Sequence, residues 1–409
     1  MDNTTTGVTV LDFTSQVWNL SLHDANLTHD PPSDDPQSDE IVDAATRRLW
    51  MKILMFAVTP GIGVLGVVGN TLSILILLRH GLKKCSNILL VSLAVADIIF
   101  LIAYNSIPKI LYETSDIRGF EGFSLSDSHI LVVFYAIFMC LDFASSLVSL
   151  TMPMLITLER LIVIFFPLSA YRIITPKRTW CAVIIVVLYS LSLFVYPSFW
   201  FELKYEWDTT RNISVGFREF SPLHTRDAIA VRVIEDMCVY SIVVVPPLFT
   251  VAGCIVISIK VKVVSMNRKK MTTKQVSSNR TTIMLLAVCA VYTLTCVTMT
   301  VPINVPIISY GPYSETHPSN LAVIMYQVMN IFICINSSCN FIIYVGLNKN
   351  FRKTYLELCS SKQRLNSLKS ARYEQKSDSQ ARSRQTQVSV VSSAQDGAVT
   401  SAQQDDDDF

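Results

Sequence analysis

Two carboxylates, Asp97 and Asp142, lie inside long apolar segments of the chain, where an uncompensated charge is costly. Those segments contain no Lys or Arg, so Asp97 must be hydrated, protonated or balanced by a cation. Short oxygen-bearing side chains are available to share such a cation with it, namely Asn70, Ser149, Asn336, Ser337 and Asn340. A carboxylate with these oxygens suits a small hard cation such as Na⁺. The alternative is a protonated Asp97 that is hydrogen-bonded among helices.

The second acid, Asp142, lies about five helical turns before Arg160 in the same segment. A desolvated carboxylate that faces a water-filled cavity is a good counter-ion for an amine or a guanidinium, so we expect Asp142 to bind a cationic group of a ligand. The alternative is a local polar partner, such as a Ser or Asn on a neighbouring helix. Other polar residues are expected to line the same ligand cleft, namely Tyr104, Asn105, Asn304, Gln327 and Asn330.

Seven apolar windows must position these side chains, and each is long enough to cross a membrane, which takes about 20 residues. They are residues 53–78, 86–108, 130–158, 179–201, 237–259, 281–308 and 319–347, called spans one to seven. With 51% hydrophobic and 16% charged residues, the composition excludes a disordered chain, a nucleic-acid-binding protein and an ordinary soluble enzyme. The sequence therefore predicts an all-α membrane protein, a bundle of seven transmembrane helices.

The distribution of charge predicts the orientation of this bundle. Residues 1–46 contain nine acids and no Lys or Arg, whereas the loops that follow spans one, three and five are basic. The positive-inside rule then places the N-terminus outside the plasma membrane and the C-terminus in the cytoplasm. Four N-glycosylation sequons fall on the predicted outside, at Asn3, Asn19, Asn26 and Asn212. We predict a disordered outer tail over residues 1–50, the bundle over 51–347 and a disordered cytoplasmic tail over 360–409.

The pair Glu159-Arg160 closes span three on the predicted cytoplasmic side. One interpretation is a boundary arginine with a neighbouring acid, and the other is a charged latch at an inner mouth that opens. The end of span seven carries further polar and aromatic residues, in the segments 340–344 and 350–352.

These motifs, in this order and on these spans, resemble those of the rhodopsin-like (class A) G protein-coupled receptors over about residues 50–360. Asn70 and Asp97 match the Asn of span one and the Asp of span two, while Ser149, Asn336 and Ser337 match the rest of the sodium pocket. Glu159-Arg160-Leu161 stands for Asp-Arg-Tyr, and residues 340–344 stand for Asn-Pro-x-x-Tyr, with Asn340 and Tyr344 at its ends. The bends of spans five and six match Pro246 (or Pro247) and Pro302. Phe351 lies at the start of a short amphipathic eighth helix (348–359), at whose end Cys359 looks like a palmitoylation site.

The resemblance implies a receptor that binds an extracellular ligand and activates a heterotrimeric G protein, with Leu168 at the G protein contact. It also implies arrestin and receptor-kinase partners, an allosteric sodium ion in place of any other cofactor, and a lipid bilayer rather than nucleic acid as surroundings. A neuropeptide is the ligand class that we expect. The alternatives are an aminergic or chemosensory small-molecule receptor and a seven-span transporter or channel. We find no nucleophile–base arrangement that predicts an enzyme.

One departure from the family concerns the disulfide that ties span three to the second outer loop. Tyr135 stands where the family has the cysteine of span three, and no Cys occurs between Cys181 and Cys238. We therefore predict that this bridge is absent and that the loop is held in another way.

Overall fold

The computed structural model describes residues 41–115, 119–209, 211–269, 287–298 and 319–359, most of which are helical. The helices are, in chain order, α1 (Ala44–Arg79), α2 (Cys85–Tyr104), α3 (Ile107–Thr114), α4 (Leu125–Phe165), α5 (Ala170–Ile173), α6 (Pro176–Val195), α7 (Pro222–Arg226), α8 (Ala228–Val239), α9 (Val245–Lys269), α10 (Ala287–Thr298), α11 (Asn320–Leu347) and α12 (Lys349–Cys359). Of these, α5 and α7 are single turns. A π-helical turn, Leu54–Val58, lies within α1, and another, Tyr240–Val244, joins α8 to α9.

Within the described residues, six helices are long and apolar enough to cross a membrane, and they coincide with spans one to five and span seven. Of span six, the structure describes the apolar helix α10; Pro302 and Asn304 lie outside the described residues, as do Asn3, Asn19, Asn26 and the tail after Cys359. The predicted helical membrane bundle is confirmed to this extent.

Helix α1 begins earlier than the sequence predicted, at Ala44 rather than at residue 51. The reason is an N-cap, because the Asp43 carboxylate accepts hydrogen bonds from the backbone N–H groups of Ala45 and Thr46 at 3.2 Å each. The first turns of α1 therefore belong to the helix, and the boundary of the predicted tail moves back accordingly.

Helix α2 lies at the centre of the described bundle, packed against α1, α4, α6 and α11. The largest core cluster of the described residues is built from buried apolar residues of α1, α2, α4, α6 and α10 together with Tyr344 and Phe351. Phe351 is the buried face of α12, and its ring packs edge-on against Tyr344 at 5.6 Å between centroids. This contact attaches the predicted eighth helix to the end of α11, and we call this end of the bundle the α12 end.

A short break after α2 redirects the chain at the opposite end. Helix α2 stops at Tyr104, and α3 starts after the N-cap Ser106, with Pro108 in its first turn. Proline is tolerated there because the first N–H groups of a helix have no intrahelical partner. The restart returns Lys109 to the bundle, where this residue is only 5% exposed.

The segment between α6 and α7 folds into a β-hairpin that the sequence analysis did not predict. Strands β2 (Phe201–Asp208) and β3 (Ile213–Phe220) pair antiparallel, and β1 (Phe120–Glu121) adds to β3, giving the order β1-β3-β2. Asn212 in the connecting turn has a φ of 55°, a left-handed conformation that Asn tolerates better than most residues. We call the end of the bundle that carries this hairpin the hairpin end.

Candidate functional site

The buried carboxylate of Asp97 is satisfied by two neighbouring helices. Ser149 Oγ of α4 donates to Asp97 Oδ1 at 2.6 Å, and Asn340 Nδ2 of α11 donates to Oδ2 at 2.8 Å. Asp97 is fully buried, and none of the described Lys or Arg residues forms an ion pair with it. Three of the residues that the sequence grouped therefore meet in one place.

The remaining members of this predicted network lie beside Asp97 without all contacting it. Asn70 Nδ2 of α1 donates to the backbone carbonyl of Ser337 at 2.8 Å, which ties α1 to α11. Asn336 is buried next to Ser337, and its backbone carbonyl accepts from Cys339 Sγ at 3.3 Å. Ser337 Oγ and Asn70 Oδ1 are buried and have no hydrogen-bond partner in the described structure. A carboxylate without a basic counter-ion, next to oxygens that are free to act as ligands, fits the chemistry of a bound sodium ion.

Asp142 is paired within the protein, and its partner is a residue that the sequence analysis missed. Lys109 Nζ of α3 donates to Asp142 Oδ2 of α4, and the two side chains are 7% and 6% exposed. Lys109 Nζ also lies 4.1 Å from the centroid of the Tyr104 ring, a cation–π contact. A cation of the chain itself thus occupies the place that we expected for the amine of a ligand. This agrees with the alternative of a local polar partner on a neighbouring helix, although the partner is a lysine and not a Ser or Asn.

The signal for this pair was present in the sequence. Lys109 lies one residue beyond the window that defined span two, so a search for basic residues inside the spans excluded it. It is nevertheless the only charge among the apolar residues of 107–112. A lysine in such a segment is able to turn back toward a buried acid, because its four-carbon stem is long and apolar.

Next to the pair, Tyr104 connects α2 to α11. Tyr104 Oη donates to Gln327 Oε1 at 2.7 Å, and both side chains are buried. Gln327 Nε2 and Asn330 Nδ2 are buried as well, and neither has a hydrogen-bond partner in the described structure. Gln327 and Asn330, two of the predicted ligand residues, therefore present free N–H donors one helical turn apart.

Asn105 does not join this group, although the sequence analysis placed it in the cleft. Its Nδ2 donates to the carbonyl of Leu101 in its own helix at 2.8 Å. Its side chain also lies against Gly63 of α1, where an added Cβ would be 2.7 Å from Asn105 Nδ2. Asn105 is therefore better described as a contact between α1 and α2 than as part of the ligand site.

A small cleft lies at the hairpin end between α4, the end of α6 and the hairpin. Its lining is largely aromatic and sulfur-containing and includes Met139, Cys140, Phe143, Phe194, Phe201 and Arg218. The Phe143 ring also lies 6.0 Å from Lys109 Nζ, so this ring separates the cleft from the buried ion pair. The cleft and the Lys109–Asp142 pair are thus neighbouring parts of one candidate ligand site.

An aromatic cluster holds the hairpin at the position where the family has a disulfide. Tyr135 stacks on Tyr112 at 4.3 Å between ring centroids, and Tyr112 contacts Phe120 at 5.4 Å. The Arg218 guanidinium of β3 lies 4.0 Å from the Phe201 ring and 5.4 Å from the Tyr135 ring. The nine cysteines that the structure describes are all free. We call the five residues of the aromatic cluster, Tyr112, Phe120, Tyr135, Phe201 and Arg218, the clasp.

The strength of the clasp is comparable to that of the bond it replaces. An aromatic pair contributes about 0.5–1.5 kcal/mol beyond its buried area, and a cation–π contact contributes about 0.5–1 kcal/mol when exposed and about 2 kcal/mol when desolvated. A native disulfide typically contributes about 2–4 kcal/mol. The predicted need for another means of holding this loop is therefore met without a covalent bond.

At the α12 end, a serine bridges the pair Glu159-Arg160. Arg160 Nε lies 3.1 Å from Glu159 Oε2, and Ser86 Oγ of α2 donates to Glu159 Oε1 at 2.8 Å while accepting from Arg160 Nη2. Glu159 is buried and Arg160 is half-buried. The sequence predicted the pair, but Ser86 escaped notice because a serine at a helix start usually has only a capping role.

The other predicted switch residues surround this end or interrupt the helices. Tyr344 is buried against Phe351, and its hydroxyl has no hydrogen-bond partner in the described residues. Leu168, between α4 and α5, is 87% exposed. Pro246 lies two residues after the end of the π-helical turn 240–244, and such a turn is a known cause of helix kinks.

Comparison with known families fits this arrangement. The model of the family described as serpentine type 7TM GPCR chemoreceptor Srw matches residues 57–362. The chain belongs to this receptor family. The receptor is accordingly a multi-pass membrane protein, and its resemblance to the rhodopsin-like receptors is confirmed.

Two curated relatives match parts of the receptor. It is 26% identical over 301 residues to a protein of Drosophila melanogaster named FMRFamide receptor, an alignment that covers 72% of this chain and 52% of the relative. It is 29% identical over 155 residues to a protein of Mizuhopecten yessoensis named "Rhodopsin, GQ-coupled", which covers 37% of this chain and 28% of that protein. The receptor thus spans only about half or less of the length of these relatives.

Proposed function

We propose that the receptor binds an extracellular ligand at its hairpin end and activates a heterotrimeric G protein at its α12 end. The observation that carries this proposal is the bridge between Ser86, Glu159 and Arg160, a half-buried cation held by α2 and α4 at the mouth of the bundle. Such a bridge is a two-state element, because Arg160 is either held by its partners or released to another surface. A ligand that favours the released state would shift this equilibrium.

The intervening helices provide the physical connection between the two ends. Helix α4 carries Asp142 near the hairpin, Ser149 at Asp97 and Glu159-Arg160 at the other end. Helix α11 carries Gln327 and Asn330 near the hairpin, Asn340 at Asp97 and Tyr344 at the α12 end. A shift of α11 relative to α4 would therefore alter both ends through the hydrogen bonds of Asp97.

A sodium ion is proposed to stabilise the resting state of this connection. The ion would be held by the Asp97 carboxylate and by the hydroxyl oxygens of Ser149 and Ser337. A bound cation supplies the positive charge that the described bundle lacks at Asp97. A ligand-driven movement of α11 would separate Ser337 from Asp97 and weaken that site.

A peptide is the ligand class that we propose. Support comes from the name of the Drosophila relative and from the cleft beneath the hairpin, whose aromatic lining and Arg218 suit peptide side chains. The description of the family as chemoreceptors supports the competing class of small molecules. A library that contains both classes distinguishes them.

Several modifications follow from the proposed orientation. Asn212 is exposed in the hairpin turn and would carry a glycan. Cys359 ends α12 and would be palmitoylated, which would anchor that helix to the bilayer. Serine and threonine residues of the tail 360–409 would be phosphorylated by a receptor kinase and recruit arrestin, since each phosphate adds about −1.5 to −2 charges.

The coupling proposal is tested by nucleotide exchange on G proteins in cells that express the receptor. We expect Arg160→Ala to abolish ligand-stimulated exchange while surface expression and ligand binding remain. Lys204→Ala is the matched control, because it removes an exposed basic residue at the opposite end and is expected to leave exchange intact. Stimulated exchange by the Arg160→Ala variant would refute the role of the bridge. Epitope tags at the two termini that report the same side of the membrane would refute the orientation.

A further inference from the structure

A proline interrupts helix α4 in its interior. Pro153 is buried and lies four residues after Ser149 and seven residues before Arg160. Because proline has no N–H group, the carbonyl of Ser149 loses its partner within the helix, and the proline ring favours a kink at this point. Helix α4 therefore lacks one backbone hydrogen bond between Ser149, which contacts Asp97, and Arg160.

Threonine hydroxyls on both sides of Pro153 also favour a bend. Thr151 Oγ1 donates to the carbonyl of Leu147 at 2.8 Å, and Thr157 Oγ1 donates to the carbonyl of Pro153 itself at 2.7 Å. A hydroxyl that donates to the carbonyl four residues back often bends its helix, because it competes with the backbone N–H group for that carbonyl. The weak part of α4 therefore extends over residues 147–157.

The two sides of this weak part are held by different neighbours. On one side, Ser149 Oγ ties α4 to α2 through its hydrogen bond of 2.6 Å to Asp97. On the other side, Thr157 contacts α9 and α10. A Cβ added to Gly253 of α9 would lie 2.3 Å from Thr157 Cγ2, and Cys289 Sγ of α10 lies 3.6 Å from Thr157 Oγ1. A shift of α9 or α10 is therefore passed to the end of α4, while the part beside Asp97 stays with α2.

We propose that Pro153 is a hinge on which residues 154–165 of α4, the end segment, tilt to release Arg160 from Ser86. The inference rests on the proposed function and makes Pro153 a positioning residue for Arg160. Arg160 lies about 10 Å beyond Pro153 along the helix. A tilt of about 20°, which prolines commonly cause, displaces it by about 3–4 Å and breaks its hydrogen bond with Ser86.

Two substitutions of Pro153 differ in how strongly they stiffen the hinge. Pro153→Ala returns the N–H group that the carbonyl of Ser149 lacks. Pro153→Gly returns the same group but leaves the backbone more flexible, because glycine is a poor helix former. One backbone hydrogen bond corresponds to about a fivefold change in an equilibrium. We therefore expect the tilted state to become about fivefold rarer in Pro153→Ala and less rare in Pro153→Gly.

Pro176→Ala is the matched control. This exposed proline lies in the first turn of α6, where its missing N–H group leaves no carbonyl of the helix without a partner. All variants are made in the parent Ser86→Ala, in which Arg160 has lost its partner on α2 and the tilted state is more populated. The parent and its Pro176→Ala derivative are expected to behave alike.

Distances between two spin labels measure the hinge without a ligand. The labels are attached to unnatural ketone side chains at the exposed positions Leu78 of α1 and Val163 of the end segment, so that the ten native cysteines stay intact. Val163 lies about 15 Å beyond Pro153, so a tilt of about 20° moves it by about 5 Å. We expect two distance populations in the parent and a second population about fivefold smaller in Pro153→Ala.

Basal nucleotide exchange measures the consequence for signalling, with heterotrimers of each Gα class in turn. We expect Pro153→Ala to lower basal exchange about fivefold at equal surface expression and Pro153→Gly to lower it less. The thermal midpoint separates the hinge from a merely structural role. A structural role lowers the midpoint together with exchange, whereas a hinge lets Pro153→Ala unfold at the same temperature as the parent or higher, because a backbone hydrogen bond is restored.

The outcomes separate this inference from the receptor function. A single distance population in the parent, or equal distributions in the parent and Pro153→Ala, overturns the hinge. Unchanged exchange in Pro153→Ala, or equal losses in the Ala and Gly variants with lowered midpoints, overturns it as well. If no variant supports exchange with any Gα class, the proposed function fails, and the distance distributions decide on the hinge alone.

Discussion

Removal of Lys109 alone is expected to destabilise the receptor strongly. In the variant Lys109→Met the Asp142 carboxylate stays buried without its partner, and the contact with Tyr104 at 4.1 Å is lost as well. Both side chains of the pair are less than a tenth exposed, so the cost belongs to the buried regime of about 3–5 kcal/mol rather than to the surface regime of about 0–1 kcal/mol.

The double variant Lys109→Met/Asp142→Leu gives the opposite expectation. It removes both charges together and replaces them with apolar side chains, so no buried ion is left without a partner. Such replacements are often neutral or stabilising, and we expect a stability within about 1 kcal/mol of the wild type or above it. The non-additivity of the two substitutions should therefore amount to several kcal/mol.

The assay is a double-mutant cycle on purified receptor in one detergent, followed by chemical and thermal unfolding. The matched control is the pair of Lys204 and Glu219, whose atoms lie 3.1 Å apart on the exposed hairpin with side chains 41% and 47% exposed. We expect the coupling of that pair to stay below about 1 kcal/mol. If Lys109→Met costs no more stability than Lys204→Met, or if the double variant loses as much stability as the sum of its single variants, Lys109 and Asp142 do not stabilise the receptor as a buried ion pair.

Four further outcomes follow from other parts of the molecule. Ser86→Ala should raise basal nucleotide exchange, because it frees Arg160 from its contact with α2; unchanged basal exchange would contradict this. Dithiothreitol should leave ligand affinity unchanged, whereas Arg218→Leu should lower it by loosening the clasp; the reverse pattern in a binding assay would indicate a disulfide. In the wild type, ligand affinity should differ between a buffer with sodium chloride and one with an organic chloride salt, and Asp97→Asn should remove this difference. Burial, followed by the nearby charge of Asp236, raises the pKa of Glu235 to about 7. The folded receptor therefore gains stability from protonated Glu235 at pH 4.5, and this contribution should be lost as the pH rises to about 7. A pH series of unfolding midpoints should show the loss in the wild type and not in Glu235→Gln.

The membrane helices and the Asp97 network were predictable because both follow from the cost of polar groups in an apolar surrounding. A span must be continuous and apolar to satisfy its backbone internally. A polar residue within it must meet others, which is why Asp97, Ser149 and Asn340 converge in the structure as their spans suggested. Their distances could not be derived, since the rotation of each helix depends on packing.

The hairpin and Lys109 were missed for different reasons. In Phe201–Asp208 apolar and charged residues alternate strictly, a pattern typical of a strand, but the segment lies between two membrane spans, where a loop is the ordinary expectation. Lys109 was lost at the edge of a window, since averaging over about 20 residues gives no information on where a chain turns back. Pro108 was the local signal in the sequence that the chain bends before this position.

The hold of the clasp also bears on the kinetics of binding. Because the side chains of Tyr112, Tyr135 and Arg218 are joined to one another by no covalent bond, the hairpin is able to detach and reattach without any change in redox state. An occupant of the cleft beneath it would pack against Arg218 and Phe201 and shift that exchange toward closure. Residence time would then be set by the opening rate of the hairpin, so that substitutions remote from the occupant would alter dissociation more than association.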